Sequence, residues 1–203
     1  MGSSRCYLEH QEDLKTDQRN LQVDVFCFVE TFLKPSQHVY PILPFSKAFR
    51  ADRPDKVGQK GGVMTVAKEN ISPQQLSLSV ELEFTAVNVL KNAIKINIIT
   101  IYRPQSLTKS AFLYKLQRLM ESLPRDVLTI VMGDFNINLI EFPHHEIITL
   151  MKEFGFVQQV KVPTTDYGSL FDHVYLNREV CIQINVIDTY FSDHDTIFIS
   201  LKL

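Results

Sequence analysis

Apolar residues in this chain gather mostly into runs of strand length. Val23–Val29, Val63–Ala67 and Val127–Met132 are nearly continuous apolar runs, as expected of strands covered on both faces. Residues 93–101 alternate in their first half, and residues 180–187 alternate cleanly at Val180, Ile182, Ile184 and Val186. Residues 76–90 form another β-rich run, and Asn92 between the two runs fits a hairpin turn. Further strand-like stretches fall at 156–160, at the end of 162–176 and at 196–201. Two segments carry a helical stripe. Over 110–123, Phe112, Leu116, Leu119, Met120 and Leu123 share a face, Ser110 serves as N-cap and Pro124 stops the helix. Over 144–154, Ile147, Leu150, Met151 and Phe154 turn inward and Gly155 closes the end. Residues 8–20, with Leu8 and Leu14, read as a short surface helix, and 35–61, rich in Pro, Lys and Arg, as a long loop.

This order contains no internal repeat, linker or low-complexity tract, so the 203 residues are expected to form one α/β domain. A hydrophobic content of 45% with 22% charged residues is ordinary for a globular chain. No apolar run approaches the length of a membrane span, and Met1–Leu8 lacks the apolar core of a secretory signal. The expectation is an intracellular monomer, nuclear or cytoplasmic. Cys6, Cys27 and Cys181 are odd in number and scattered, which fits reduced thiols rather than a disulfide or zinc framework. A formal charge of −2 argues against a protein that coats nucleic acid, but local fields rather than totals steer substrates. Residues 47–68 hold Lys47, Arg50, Arg53, Lys56, Lys60 and Lys68 against only Asp52 and Asp55, either a solvated loop or an anion-binding surface.

The candidate chemistry lies where apolar runs end. Val127–Met132 breaks at Gly133 and presents Asp134 and Asn136, two apart and therefore on one side of an extended segment. Ser192-Asp-His-Asp195 is a polar burst between two β-like runs. Glu30 ends the first strand, and Tyr102-Arg103-Pro104 ends the run 93–101. Carboxylates, a carboxamide and an imidazole at strand ends are the parts of a metal-assisted hydrolase. Each also has a structural reading: a strand cap for Glu30, a turn for Asp134 and Ser192, packing for Tyr102. Adjacent His144 and His145 face different sides and read as surface residues.

Gly133-Asp-Phe-Asn136 and Ser192-Asp-His194, with Glu30, Tyr102 and Asp172, resemble in kind and order the endonuclease/exonuclease/phosphatase superfamily. Within it the chain most resembles the exonuclease III-like endonuclease domains of non-LTR retrotransposons. The resemblance implies a DNase I-like four-layer sandwich, two packed mixed β-sheets flanked by helices. It implies hydrolysis of the DNA backbone with Mg²⁺, or Mn²⁺ in its place. Glu30 would be the metal ligand and Asp193 its acidic neighbour. Asp134 would act on the attacking water, with Asn136 beside it. His194 would contact the scissile phosphate, oriented by Asp172, and Tyr102 would donate to phosphate. Thr164 or Thr165, with Arg103 and Lys60, would bind substrate.

Alternatives are a small phosphoester as substrate, with Arg50, Lys56 and Lys60 lining an anion site, or an inactive relic. The relic reading arises from a departure from the family pattern. An asparagine-bearing first strand is expected near Gly2 or Ser3, and no apolar strand lies there. The expectation is therefore a domain truncated at its N-terminus, lacking the first strand and with impaired activity.

Overall fold

The computed structural model describes residues 22–39, 43–53 and 61–203. The helix read over 8–20 and the place of the missing asparagine lie outside these residues, as does Lys60.

Among the described residues the first strands are β1 (Val25–Val29), β2 (Ser46–Ala51) and β3 (Val63–Lys68). They form an antiparallel sheet in the order β1-β3-β2. β2 corrects the reading of 35–61 as a loop. Its Ser-Lys-Ala-Phe-Arg-Ala has one large apolar residue and lies at a sheet edge, so no clear apolar pattern marks it. The larger sheet comprises β4 (Gln74–Gln75), β5 (Glu83–Lys91), β6 (Ile94–Tyr102), β7 (Leu128–Asp134), β8 (Val157–Gln158) and β9 (Asp172–Leu176). Its order is β4-β5-β6-β7-β9-β8, with β6 and β7 parallel and the other neighbours antiparallel. A final hairpin pairs β10 (Cys181–Ile187) with β11 (Thr196–Lys202).

The β5–β6 hairpin closes on Asn92 and Ala93, both at positive φ (51° and 64°), as its two-residue turn requires. Parallel β6 and β7 need a crossover, and α1 (Lys109–Ser122) supplies it. Its stripe packs as expected, with Phe112, Leu116, Leu119 and Met120 buried. The cap is Thr108 rather than Ser110: its hydroxyl accepts from the Ala111 N–H at 3.3 Å. α2 (Glu146–Glu153) begins at His145, whose ring Nδ1 accepts from the Ile147 N–H at 3.2 Å. His145 is thus a helix cap and not merely a surface residue.

β1–β3 pack against β5, β6 and β7, and the hairpin lays Ile182, Ile184, Val186, Ile197, Ile199 and Leu201 on the same central core. Two β layers face one another, with the two helices adding their apolar stripes to that core. Among the described residues no strand joins β1 to β11. Within the apolar interior between the layers, three buried hydroxyls meet. Thr65 on β3 lies 2.6 Å from Thr85 on β5 and 3.0 Å from Thr100 on β6.

On its other face β9 carries His173, fully buried against Phe135 with ring centroids 4.6 Å apart. Nε2 lies 2.9 Å from the Ile137 carbonyl and so carries the proton, leaving Nδ1 to accept from the Tyr175 hydroxyl at 3.0 Å. Burial pushes His173 down to about 4, against the opposing pull of the Ile137 and Leu170 carbonyls. In the unfolded chain the imidazole titrates near ~6.5. Its contribution to stability is therefore intact above about pH 6.5 and is lost as pH falls toward 4, on the order of 3 kcal/mol in all. Melting temperature between pH 7 and 4.5 should fall less steeply in His173→Gln than in the parent. Equal slopes would refute this assignment.

Candidate active site

Strand register sets the site. Tyr102 on β6 is the Cα partner of Asp134 on β7, and Asp134 is that of Asp172 on β9. Directly paired residues share a face, so these three side chains form a row across neighbouring strands. Tyr102 and Asp172, two strand spacings apart, are separated by roughly 10 Å. Above one end of the row stands Glu30, just past β1, whose carboxylate accepts a hydrogen bond from the Tyr102 hydroxyl. Above the other stands His194, just before β11, with Nδ1 2.8 Å from Asp172 Oδ2. The facing layers each contribute to both ends.

Asp134 and Asn136 meet, but not by the two-residue period of a strand. β7 ends at Asp134, Phe135 turns into the core, and Asn136 takes a left-handed φ of 49°. Within this turn the Asn136 N–H donates to Asp134 Oδ1 at 2.8 Å and its Nδ2 donates to Oδ2 at 2.9 Å. Nδ2 also donates to the Arg103 carbonyl at 2.8 Å. Gly133, at φ 136°, is required here, because a Cβ would overlap the Ile101 carbonyl on β6.

Arg103 departs from the expected substrate contact. It is 5% exposed and donates to the carbonyls of Asn136 (3.1 Å), Phe135 (3.4 Å) and Leu107 (2.5 Å). Its guanidinium is committed to the Asp134–Asn136 turn. Arg50 is likewise committed, to Asp52 and to the carbonyls of Lys34 and Gln37, and so corrects the reading of it as a lining of a small anion site. The two threonines also point inward. Thr164 donates to Asp172 Oδ2 at 2.7 Å, and the Thr165 hydroxyl accepts from the Ser169 N–H at 3.1 Å. Neither hydroxyl is left for substrate, and Thr164 instead fixes Asp172.

His194 is held by its own turn. Its N–H donates to Ser192 Oγ at 3.0 Å, residue 194 forms a β-bridge with Thr165, and the Asp195 N–H donates to the Thr164 carbonyl at 2.9 Å. Burial works against the imidazolium. The hydrogen bond and charge of Asp172, with Asp134 and Asp193 adding, outweigh it and push His194 up to about 9. At neutral pH the ring is a cation whose Nδ1–H is spent on Asp172, leaving Nε2–H as donor. Burial, then the Asp172 charge, raises Asp134 well above the carboxylate range, while His194 and the Asn136 N–H pull it back. Burial and the hydrogen bond to Glu30 raise the Tyr102 phenol, which therefore remains protonated.

Two groups escaped the sequence reading of the site. Arg53 lies over the Tyr102 ring, its Cζ 5.7 Å from the centroid. Glu83, the Cα partner of Tyr102, extends the row to a fourth strand. The place of Glu83 depends on ladder register, which no local motif marks, and Arg53 was visible only as one cation of the stretch 47–68. Among the described residues, the carboxylates that cluster within 4.8 Å of one another are those of Asp166, Asp188 and Asp195, on the loops flanking His194. Asp193 is half-buried beside His194 and contributes its charge there. The donors around the row are carboxylate and carboxamide oxygens, which suit a hard divalent cation. That the carboxylates of Asp172 and Glu30 both raise Asp134 fits the same need for positive charge.

A family model described as the Endonuclease/Exonuclease/phosphatase family matches residues 9–194. Among curated proteins no sequence matches the chain. Similar solved structures include the endonuclease domain of TRAS1, a telomere-specific non-LTR retrotransposon, at TM-score 0.75 and 16% identity, covering 98% of this chain and 94% of that one. An AP endonuclease from Archaeoglobus fulgidus follows at TM-score 0.71 and 14% identity, covering 98% and 96%. The Bacteroides thetaiotaomicron mannosyl-6-phosphatase Bt3783 has TM-score 0.69 and 14% identity, covering 96% and 91%.

Proposed function

The chain belongs to the endonuclease/exonuclease/phosphatase family, and from that premise we propose that it is a divalent-metal-dependent phosphodiesterase acting on DNA as an endonuclease of mobile-element origin. The observation that carries this reading is the row Tyr102–Asp134–Asp172, faced by Glu30 at one end and a cationic His194 at the other. The likeness to two endonucleases supports a nucleic-acid substrate.

Glu30 would hold Mg²⁺ or Mn²⁺, with Asp193 adding negative charge at the His194 end of the site. When bound, such an ion lowers the pKa of water and offsets charge on phosphoryl oxygens. The protein's own groups divide the remaining work. Asp134, held at both oxygens by Asn136, is aimed to orient and deprotonate the attacking water. His194 presents Nε2–H to a phosphoryl oxygen as charge develops there. Asp172, itself fixed by Thr164, keeps that proton on the outward nitrogen. Tyr102 stays a donor throughout, shared between Glu30 and an approaching oxygen.

Supercoiled plasmid incubated with Mg²⁺ or with EDTA, beside Asp134→Ala and His194→Ala, tests this directly. Nicking that requires both the cation and His194 is expected. Nicking unchanged in the variants, or none by the parent protein, would rule out the endonuclease reading. A small phosphoester is the second reading, favoured by the acidic rim of Asp166, Asp188 and Asp195, which would repel a polyanion. Turnover of sugar or inositol phosphates without plasmid nicking would select it.

A further inference from the structure

Glu30 sits in a conformation it would not adopt alone. Its φ is 52° and that of Phe32 is 52°, both in the left-handed region that side chains other than glycine rarely occupy. Such geometry persists only where its surroundings over-determine it, and it gathers at functional sites. Here the surroundings are Gly61 and Gly62. The Thr31 N–H donates to the Gly62 carbonyl at 3.1 Å and the Phe32 N–H to the Gly61 carbonyl at 2.8 Å. A Cβ on Gly62 would come within 2.5 Å of Thr31 Oγ1, so the double glycine allows this close pairing.

The double glycine is itself fastened from the opposite sheet. Glu83 Oε1 accepts from the Gly62 N–H, and Oε2 accepts from Arg53 Nε at 2.7 Å, with Arg53 Nη2 also at 2.7 Å. Both side chains are mostly buried. Arg53 in turn covers the ring of Tyr102, whose hydroxyl donates to the Glu30 carboxylate. One ion pair therefore reaches Glu30 twice. It reaches the backbone through Gly61 and Gly62, and the side chain through Tyr102.

We propose that Glu83, paired with Arg53, is a positioning residue that fixes the Glu30 carboxylate for cation binding, an inference that rests on the reading of Glu30 as the metal ligand. An ordinary structural ion pair would stabilise the fold without tuning the ligand. Partners that orient a metal ligand, when removed, characteristically weaken metal affinity by about 10–100-fold.

Calorimetric titration of the whole protein with Mn²⁺, without nucleic acid, separates these roles, alongside thermal melting in EDTA. Glu83→Gln keeps the shape and the acceptor for Gly62 but loses the ion pair. Arg53→Met keeps packing on Tyr102 and loses the charge. Both variants are expected to bind Mn²⁺ about 10–100-fold more weakly than the parent, and Arg53→Lys to recover part of the loss. Parent-like Mn²⁺ affinity in either folded variant would overturn the proposal. If Glu30→Gln also binds Mn²⁺ like the parent, or the parent binds none, the reading of Glu30 as ligand fails first. Loss of binding in Glu30→Gln with retention in Glu83→Gln rejects the present inference alone.

Discussion

His194→Ala is expected to slow phosphodiester cleavage by about 10²–10³-fold at neutral pH, the scale of losing one donor to a developing oxyanion. The Asp172→Asn variant is the sharper experiment. Asparagine can still accept from His194 Nδ1–H and from the Thr164 hydroxyl, so the site keeps its shape. It removes the charge that holds the ring as a cation. In the parent protein the cation is present at neutral pH and is lost as pH rises through about 9. Without the Asp172 charge that loss should move down toward ~6.5 or below, because burial then acts with less opposition. The alkaline limb of kcat/KM against pH should shift by at least one unit, with a fall at pH 8 of roughly 10–100-fold. An alkaline limb that stays in place would show that the His194 cation is not what the reaction needs.

Gly133→Ala is expected to be the most damaging single substitution for stability. Gly133 pairs with Ile101 between parallel β6 and β7 at φ 136°, and a Cβ there has nowhere to go except into the Ile101 carbonyl. Backbone strain of about 1–3 kcal/mol and overpacking of similar size together make a loss of roughly 4 kcal/mol reasonable. For a chain of this size that corresponds to a fall of about 8–16 °C in melting temperature. The Asp134–Asn136 turn follows directly, so activity should be lost with it. An alanine variant that melts within two or three degrees of the parent would mean that the two strands can part locally at no great cost. Gly155, by contrast, has open space around its Cβ position and should tolerate alanine better, with only its left-handed φ of 83° opposing the change.

The sequence made the buried strands legible because their apolar runs depend on little beyond burial. Val63–Ala67 and Val127–Met132 appear almost as read, and so does the stripe of α1. Edge elements were harder to see. β2 is flanked on one side only, and its Ser-Lys-Ala-Phe-Arg-Ala could equally be a loop. The order of the site motifs was visible, and so was the fold they imply, because Asp134, His194 and Glu30 stand where strands end. What each polar group touches was not visible. Arg103, Arg50 and Thr164 were available as substrate contacts until the folded chain supplied carbonyls and carboxylates that consume their donors. Glu83 was invisible for a different reason. Nothing near it in the chain is unusual, and only its register against Tyr102 brings it into the site.

Each end of the site joins one layer to the other, so its dimensions depend on how the layers slide. Thr65, Thr85 and Thr100 form a polar detent in the apolar interior of the interface, below the Glu83–Arg53 pair at its rim. Thr85 and Thr100 lie two residues below Glu83 and Tyr102 on the same face. A shear of one residue step, about 3.3 Å, would strand all three hydroxyls without partners while the surrounding methyl groups slid with little penalty. Apolar packing alone would leave the gap between Glu30 and Tyr102 adjustable. The hydroxyls instead give the interface discrete stops, and the stop at which they meet is one that brings Glu83 to Gly62 and Tyr102 to Glu30.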